Sequence, residues 1–173
     1  MRNKTILTTR RLRLRTWRSG DAHAYQLRCN NDDVMQHLGG IMTPRQLKRE
    51  VKWLIRHQER EGISFWVMER KSDRAFLGFC GLIRVTETSS TVVGKIEIGW
   101  RVRSDMWRCG YAYEAAQAVL KYGRDHFAEP IIACVAPGDV ASQGLMRKLG
   151  MKRLPELDYV DLRDGVPLIV YGV

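Results

Sequence analysis

At 173 residues, 45% apolar and 28% charged, the chain is long enough for one domain with a sizeable core and has the make-up of a globular protein. No apolar run approaches the roughly 20 residues of a membrane-spanning helix, and the opening MRNKTILTTRRLRLR lacks the apolar stretch of a secretory signal, so a cytoplasmic location is expected. With 29 Lys and Arg against 19 Asp and Glu the net charge is +10, which draws polyanions such as nucleic acid, a ribosomal surface or a phosphate-rich coenzyme.

In chain order, the first element is a strand over about 10–17. Leu12 and Leu14 alternate there with Arg11, Arg13 and Arg15, the pattern of a strand with one buried and one wet face. Ser19-Gly20-Asp21 opens a helix, DAHAYQLRCN, and a helical turn follows near 32–37. Thr43-Pro44 starts a longer helix: Thr43 caps it, Pro44 suits the first helical position and Gln46 completes a capping box. Leu47, Val51, Leu54 and Ile55 share one face of that helix and Gly62 ends it. Three strands follow, SFWVMER, AFLGFCGLIRV and VVGKIEIGWRVR. Their short connections carry Asp or Ser and predict antiparallel hairpins.

A helix over about 110–127 lines Ala112, Ala115, Ala116, Val119, Leu120 and Phe127 along one face. The apolar strand IIACVA comes next, then a helix from Asp139 to Gly150 and two closing strands near 151–160 and 166–172. The order β-α-α-β-β-β-α-β-α-β-β predicts an α/β fold, a mixed and mostly antiparallel sheet of about seven strands with helices on its faces. Cys29, Cys80, Cys109 and Cys134 form no Cys-x-x-Cys pair, so they read as free thiols, mostly buried. His23, His37, His57 and His126 are scattered without metal spacing and read as structural or surface residues.

The turn Trp107-Arg108-Cys109-Gly110-Tyr111-Ala112 joins the third of those strands to the helix. A helix start exposes unpaired N–H groups and the positive end of the dipole. Gly110 lets main chain approach an anion closely, Arg108 adds charge, and Glu114 is the next acid along the chain. The turn therefore has the physics of a phosphate cradle, although a strand-to-helix turn that binds nothing fits the same residues. It is neither a P-loop nor a Gly-x-Gly-x-x-Gly fingerprint. On the preceding strand Ile96, Ile98, Trp100 and Val102 alternate with Glu97, Gly99, Arg101 and Arg103. Glu97 thus faces away from the apolar side, as a surface carboxylate pairing with Arg101 or as a functional group.

The run EIGWRV…WRCGYAYEA…IIACVAPGDVASQGLMRKLGM resembles the GNAT superfamily of N-acetyltransferases, and within it the ribosomal-protein N-terminal type (RimJ/RimL-like). TTRRLRLRTWRSGDAHAYQLRCNNDDVMQHLGG, GFCGLIRV and DGVPLIVYGV extend the likeness over nearly the whole chain, as a single domain 1–173. The resemblance implies the GNAT fold, acetyl-CoA as co-substrate, no metal, and direct transfer to a primary amine within a ternary complex. It places the pyrophosphate on the turn, whose family pattern is Gln/Arg-x-x-Gly-x-Gly/Ala. Gly110 and Ala112 match, Trp107 departs, and Arg108, Cys109 and Tyr111 complete the loop. It lays the pantetheine arm where a bulged strand splays from IIACVA, against the main chain of Arg101, Val102 and Arg103.

For chemistry the resemblance points to Glu97 as base. Many members donate a proton from a tyrosine in the pattern Asn-x-x-Ala/Ser-x-x-x-Tyr. Here those places hold Asp139, Ser142 and Met146. Methionine donates no proton, and Met146 shares a face with Leu145 and Leu149, so it reads as core. Ser142 is then the acid candidate, as in RimL-like members, although serine in a first helical turn also serves capping. Asp139 reads both as N-cap and as a neighbour of the coenzyme, and Lys148 as a phosphate neighbour or a solvated lysine. The acceptor implied is a protein N-terminal amine, that of a ribosomal protein in the RimJ/RimL-like type; the alternative is a small amine: a polyamine, an antibiotic or an amino acid. The rival of another class is a non-catalytic module of the same fold that binds RNA or protein. Nucleic acid and a second copy of the chain stay open as further partners.

Overall fold

The first predicted strand, 10–17, forms as Leu12–Arg15, and an unpredicted strand, Thr5–Thr8, precedes it. Thr5–Thr8 (β1) and Leu12–Arg15 (β2) pair antiparallel, with a register shift between Thr5 and Leu7. The computed structural model describes residues 4–87, 90–162 and 165–173. Residues 88–89, in the predicted turn before the third mid-chain strand, and 163–164, between the closing strands, lie outside the described residues. Leu12 and Leu14 are fully buried as the alternation requires, but Arg15 is not on a wet face: it is 3% exposed. Its guanidinium is drawn inside by Glu69 and Asp21, which accept from Nε at 2.9 Å and from Nη1 at 2.7 Å.

Helices Asp21–Arg28 (α1), Asp32–Met35 (α2) and Pro44–Glu61 (α3) follow. The capping box of Thr43 and Gln46 forms, and Gly62 closes α3 at φ +75°. Strands Phe65–Arg70 (β3), Phe76–Arg84 (β4) and Ile96–Val102 (β5) make an antiparallel meander. β5 starts later than its apolar run, because Gly94 at φ +81° turns the chain and returns its N–H to the Val85 carbonyl. Helix Tyr111–His126 (α4), strand Ile131–Val135 (β6) and helix Val140–Lys148 (α5) come next.

The predicted strand 151–160 is interrupted by a 3₁₀ turn at Pro155–Leu157, leaving Lys152–Arg153 (β7) and Tyr159–Val160 (β8). Proline has no N–H to give to a ladder, which is why the strand stops there. Both pieces pair with Pro167–Gly172 (β9). Among the described residues the sheet therefore has nine strands rather than about seven, ordered β1-β2-β3-β4-β5-β6-β9-β7 with β8 on β9.

Helices cover both faces. On one, α4 buries Ala115, Ala116, Val119 and Leu120, and Met146 of α5 joins the same cluster. Gly123 allows the close approach: a Cβ there would lie 2.4 Å from Ile131 Cδ1. On the other face Tyr25, Leu47, Val51 and Leu54 of α1 and α3 pack on Val67, Phe76 and Phe79. β5 sends Ile96, Ile98 and Val102 to the α4 side, so Glu97, Gly99 and Arg101 face α1 and α3.

Candidate active site

Where β5 meets β6 the sheet forks. The two run parallel, yet only Ile96–Ile131 and Glu97–Ile132 pair. Beyond them β5 stays with β4 as far as Val102, and β6 stays with β9 as far as Val135. No bulge on β5 makes the fork, contrary to the expectation from family resemblance: the β4–β5 register is unbroken from Gly78–Val102 to Arg84–Ile96. The irregularity lies one ladder over, between β3 and β4, where Met68 and Glu69 face Gly78 and Phe76 and Leu77 of β4 is the extra residue.

The mouth of the fork is closed by the turn that leads into α4. Trp107 donates its indole N–H to the Val102 carbonyl at 2.7 Å. Arg108 and Gly110 both adopt left-handed backbone, φ +58° and +77°. Glycine takes that geometry freely, whereas a non-glycine residue is held there at a cost of about 1 kcal/mol or more. No side chain caps the N-terminus of α4 at Gly110, which leaves its first N–H groups and dipole facing outward.

Beside the turn stands Arg11, which sequence reasoning did not single out. It donates from Nη1 to the Cys109 carbonyl at 2.9 Å and from Nε to Glu114 at 2.6 Å, and lies 4.3 Å over the Tyr111 ring. A Cβ on Gly110 would come within 3.3 Å of Arg11 Nη2. Burial disfavours the Glu114 carboxylate, but hydrogen bonds from Thr9 and from the amide and guanidinium of Arg11 outweigh it and hold its pKa below the ordinary value. Glu114 neutralises the Arg11 charge, so the turn suits a phosphate group through its left-handed main chain and the uncapped N–H groups of α4, with Arg11 Nη2 beside Gly110 as a further donor. No sequence signal could have found it, because Arg11 and Glu114 are 103 residues apart.

Glu97 stands at the closed end of the fork and does not pair with Arg101. It lies beside Cys134 of β6 and Tyr159; burial first, and then the Glu97 charge, pushes the Cys134 pKa up. Burial likewise raises Tyr159, with Cys134 and Glu97 adding to the shift. Both groups therefore stay protonated at neutral pH. Glu97 lines a cavity of about 180 Å³ together with Trp53, Ile83, Glu87, Tyr159 and Asp161. Arg101 pairs instead with Glu50 of α3, at 3.6 Å.

Asp139 caps α5 by accepting from the Ser142 amide at 2.9 Å. Ser142 is half-buried in the first turn of α5, past the end of β6, while Glu97 pairs three residues earlier on that strand. At about 3.3 Å per residue, base and acid candidates stand on opposite stretches of the fork. Met146 is 2% exposed within the core, as its helical face predicts. Between α4 and α5 a groove of about 500 Å³ is lined by Tyr113, Lys121, Arg124 and Lys148, with Lys148 Nζ 4.5 Å over the Tyr113 ring. Cys29 and Cys80 are buried, Cys134 is half-buried, and Cys109 is exposed on the turn.

A split parallel pair with a glycine turn feeding a bare helix start defines an acyl-coenzyme A transferase fold. The acetyltransferase (GNAT) domain model matches residues 11–152, and the chain belongs to that family as an acetyl-CoA-dependent N-acetyltransferase. It is 37% identical over 153 residues to the uncharacterized protein YkkB of Bacillus subtilis, covering 87% of each chain. It also matches the crystal structure of an acetyltransferase from Agrobacterium tumefaciens, with TM-score 0.82, 19% identity and coverage of 96% and 92%. The fold of RimL, the ribosomal L7/L12 alpha-N-protein acetyltransferase, matches with TM-score 0.76 and 14% identity over 99% of this chain and 94% of that one.

Proposed function

We propose that residues 1–173 form one N-acetyltransferase domain that acetylates the N-terminal amine of a protein, directly and within a ternary complex. The observation that carries this reading is the fork between β5 and β6, closed at one end by Glu97 and at the other by the Gly110 turn. Main-chain N–H groups from Arg108 to Ala112, with Arg11 beside them, hold the pyrophosphate; the main chain of Arg101, Val102 and Arg103 lines the arm; Asp139 borders it where α5 begins. Acetyl-CoA supplies an acetyl group activated as a thioester. Glu97 accepts a proton from the acceptor ammonium, directly or through water, freeing the lone pair that forms the new C–N bond. As the tetrahedral intermediate collapses the nitrogen gives up its second proton to solvent, and Ser142 donates its hydroxyl proton to the departing sulfur as the C–S bond breaks and is reprotonated from solvent.

Three further features favour a chain end as acceptor. The cavity beside Glu97 is small and carries the carboxylates of Glu87, Glu97 and Asp161, suited to one ammonium head rather than a bulky antibiotic. The net charge of +10 suits docking on a nucleic-acid-rich particle, and the RimL fold is that of a protein N-terminal acetyltransferase. The deciding experiment follows free coenzyme A released from acetyl-CoA against ribosomal-protein N-terminal peptides, polyamines, aminoglycosides and free amino acids. Release with peptides supports the reading. Release with polyamines or aminoglycosides alone moves the acceptor to small amines, and silence without coenzyme binding leaves an RNA- or protein-binding module.

A further inference from the structure

The buried arginines of this fold show what a fully engaged guanidinium looks like. Arg15 donates from Nε to Glu69 at 2.9 Å, from Nη1 and Nη2 to Asp21 at 2.7 and 2.9 Å, and from Nη1 to the Thr16 carbonyl at 3.1 Å. Arg103 donates from Nε and Nη2 to Asp105 at 2.6 Å each, and from Nη1 to the Phe76 carbonyl at 3.3 Å. Both have found acceptors for their planar fork of donors.

Arg101 differs. Its side chain is 13% exposed and its Nη1 stands 3.6 Å from Glu50, beyond hydrogen-bond length. Nε and Nη1 are buried without a hydrogen-bond partner among the described residues. The guanidinium lies 5.5 Å over the Tyr25 ring and 5.1 Å over the Phe79 ring. Those stacks account for its place, but a ring attracts the cation through its face and takes no hydrogen bond in the guanidinium plane. Burial pushes Arg101 down to about 10, so it remains a cation at neutral pH. A buried cation with unused in-plane donors lacks an acceptor, and a carboxylate fits that fork two bonds at a time.

The position of Arg101 indicates whose carboxylate it is. Glu97, Gly99 and Arg101 share one face of β5, with no side chain on Gly99 and the Phe65 ring where one would stand: a Cβ there would meet Phe65 Cζ at 2.7 Å. Glu97 and Arg101 are four residues apart, about 13 Å between Cα atoms. The carboxylate of an α-amino acid is too near its own amine to use both ends. A chain with an acid set further off spans them.

We infer that Arg101 is a specificity residue for the acceptor: the molecule that offers its amine at Glu97 also carries a carboxylate, set off from that amine, which pairs with Arg101. The inference rests on the transferase reading above. The carboxylate comes either from Asp or Glu at the second or third residue of a peptide N-terminus, or from a free ω-amino carboxylate of similar span. In both cases it competes with Glu50 for Nη1.

The test compares kcat/KM, and binding by titration calorimetry in the presence of coenzyme A, for two pairs of acceptors. One pair is a peptide with Asp or Glu at residue two or three and its Asn or Gln counterpart; the other is an ω-amino carboxylate and its amide. The wild-type chain should favour the acid by about tenfold in one pair, and that pair names the source. Arg101→Met should bring the ratio close to one, and Arg101→Lys should restore part of it. Should Arg101→Met fail to fold, Glu50→Gln carries the test: removal of the competing carboxylate should raise the ratio. A wild-type ratio near one in both pairs, a preference that survives Arg101→Met, or a ratio unmoved or lowered by Glu50→Gln overturns the inference. Loss of coenzyme binding and of turnover with every amine would instead bring down the transferase reading, and this inference with it.

Discussion

The indole N–H of Trp107 reaches the carbonyl of Val102 at 2.7 Å, so the residue that opens the turn is tied to the residue that ends β5. That bond fixes the angle at which the turn leaves the sheet, at the place where family members carry Gln or Arg. Trp107→Phe keeps a ring but removes the donor. Acetyl-CoA affinity should fall roughly three- to tenfold, the worth of about 1 kcal/mol for a hydrogen bond. Calorimetric titration checks it, and an unmoved Kd would show that the tie does not shape the cradle.

Gly110 separates the shape of the turn from its charge. At φ +77° and with Arg11 Nη2 3.3 Å from a Cβ, Gly110→Ala should cost about 1 kcal/mol of stability and weaken the coenzyme modestly. Gly110→Glu adds a carboxylate to an anion site and should weaken acetyl-CoA by more than about tenfold. Normal binding by the Glu variant would move the pyrophosphate site elsewhere.

Glu97→Gln and Ser142→Ala should each lower kcat by roughly 10²-fold or more, the usual contribution of acid–base groups, while acetyl-CoA Kd stays within about threefold. Stopped-flow turnover beside equilibrium binding separates the two effects. If both variants turn over normally, neither residue moves a proton.

Arg15 should govern stability rather than activity. Arg15→Met leaves buried Asp21 without its guanidinium partner, while Glu69 keeps Arg13 at 3.0 Å and Arg18 at 3.1 Å; removal of one partner of a buried pair costs about 3–5 kcal/mol, and urea unfolding measures it. The pH dependence has a definite sign. Burial opposes ionisation of Glu69, but the Arg15 hydrogen bond and the charges of Arg15, Arg18 and Arg74 outweigh it and set its pKa below the ordinary 4.5. A carboxyl lowered on folding stabilises the protein fully above that ordinary value, and its contribution vanishes as pH falls through the folded-state value. The wild-type unfolding midpoint should therefore fall below pH 4.5, and the fall should be shallower in Arg15→Met.

Much of the fold was legible because it is written locally. Thr43, Pro44 and Gln46 announce the start of α3 within four positions, Gly62 announces its end, and the face of α4 repeats at helical spacing. The strand count fell short where local pattern is weak: Thr5–Thr8 is a four-residue edge strand with no apolar alternation to announce it, and Pro155 splits a run whose apolar content reads as continuous. At the site, the glycine start of α4 and the burial of Met146 could be read from the sequence. Arg11 beside Gly110, Glu50 beside Arg101 and Tyr159 beside Glu97 could not, since each pair is joined only by the folded sheet.

The fork has a consequence for the life of the protein as well as for catalysis. Two residue pairs, Ile96–Ile131 and Glu97–Ile132, stitch β5 to β6, and past that seam each strand presents an inner rim of open amides. Open rims recruit other chains. On the proposed reading a pantetheine arm with its own amides, laid in the split, would take the part of the absent rung and mend the sheet. The coenzyme would then act as a folding ligand too, and its binding should slow hydrogen exchange along both rims and raise the unfolding midpoint.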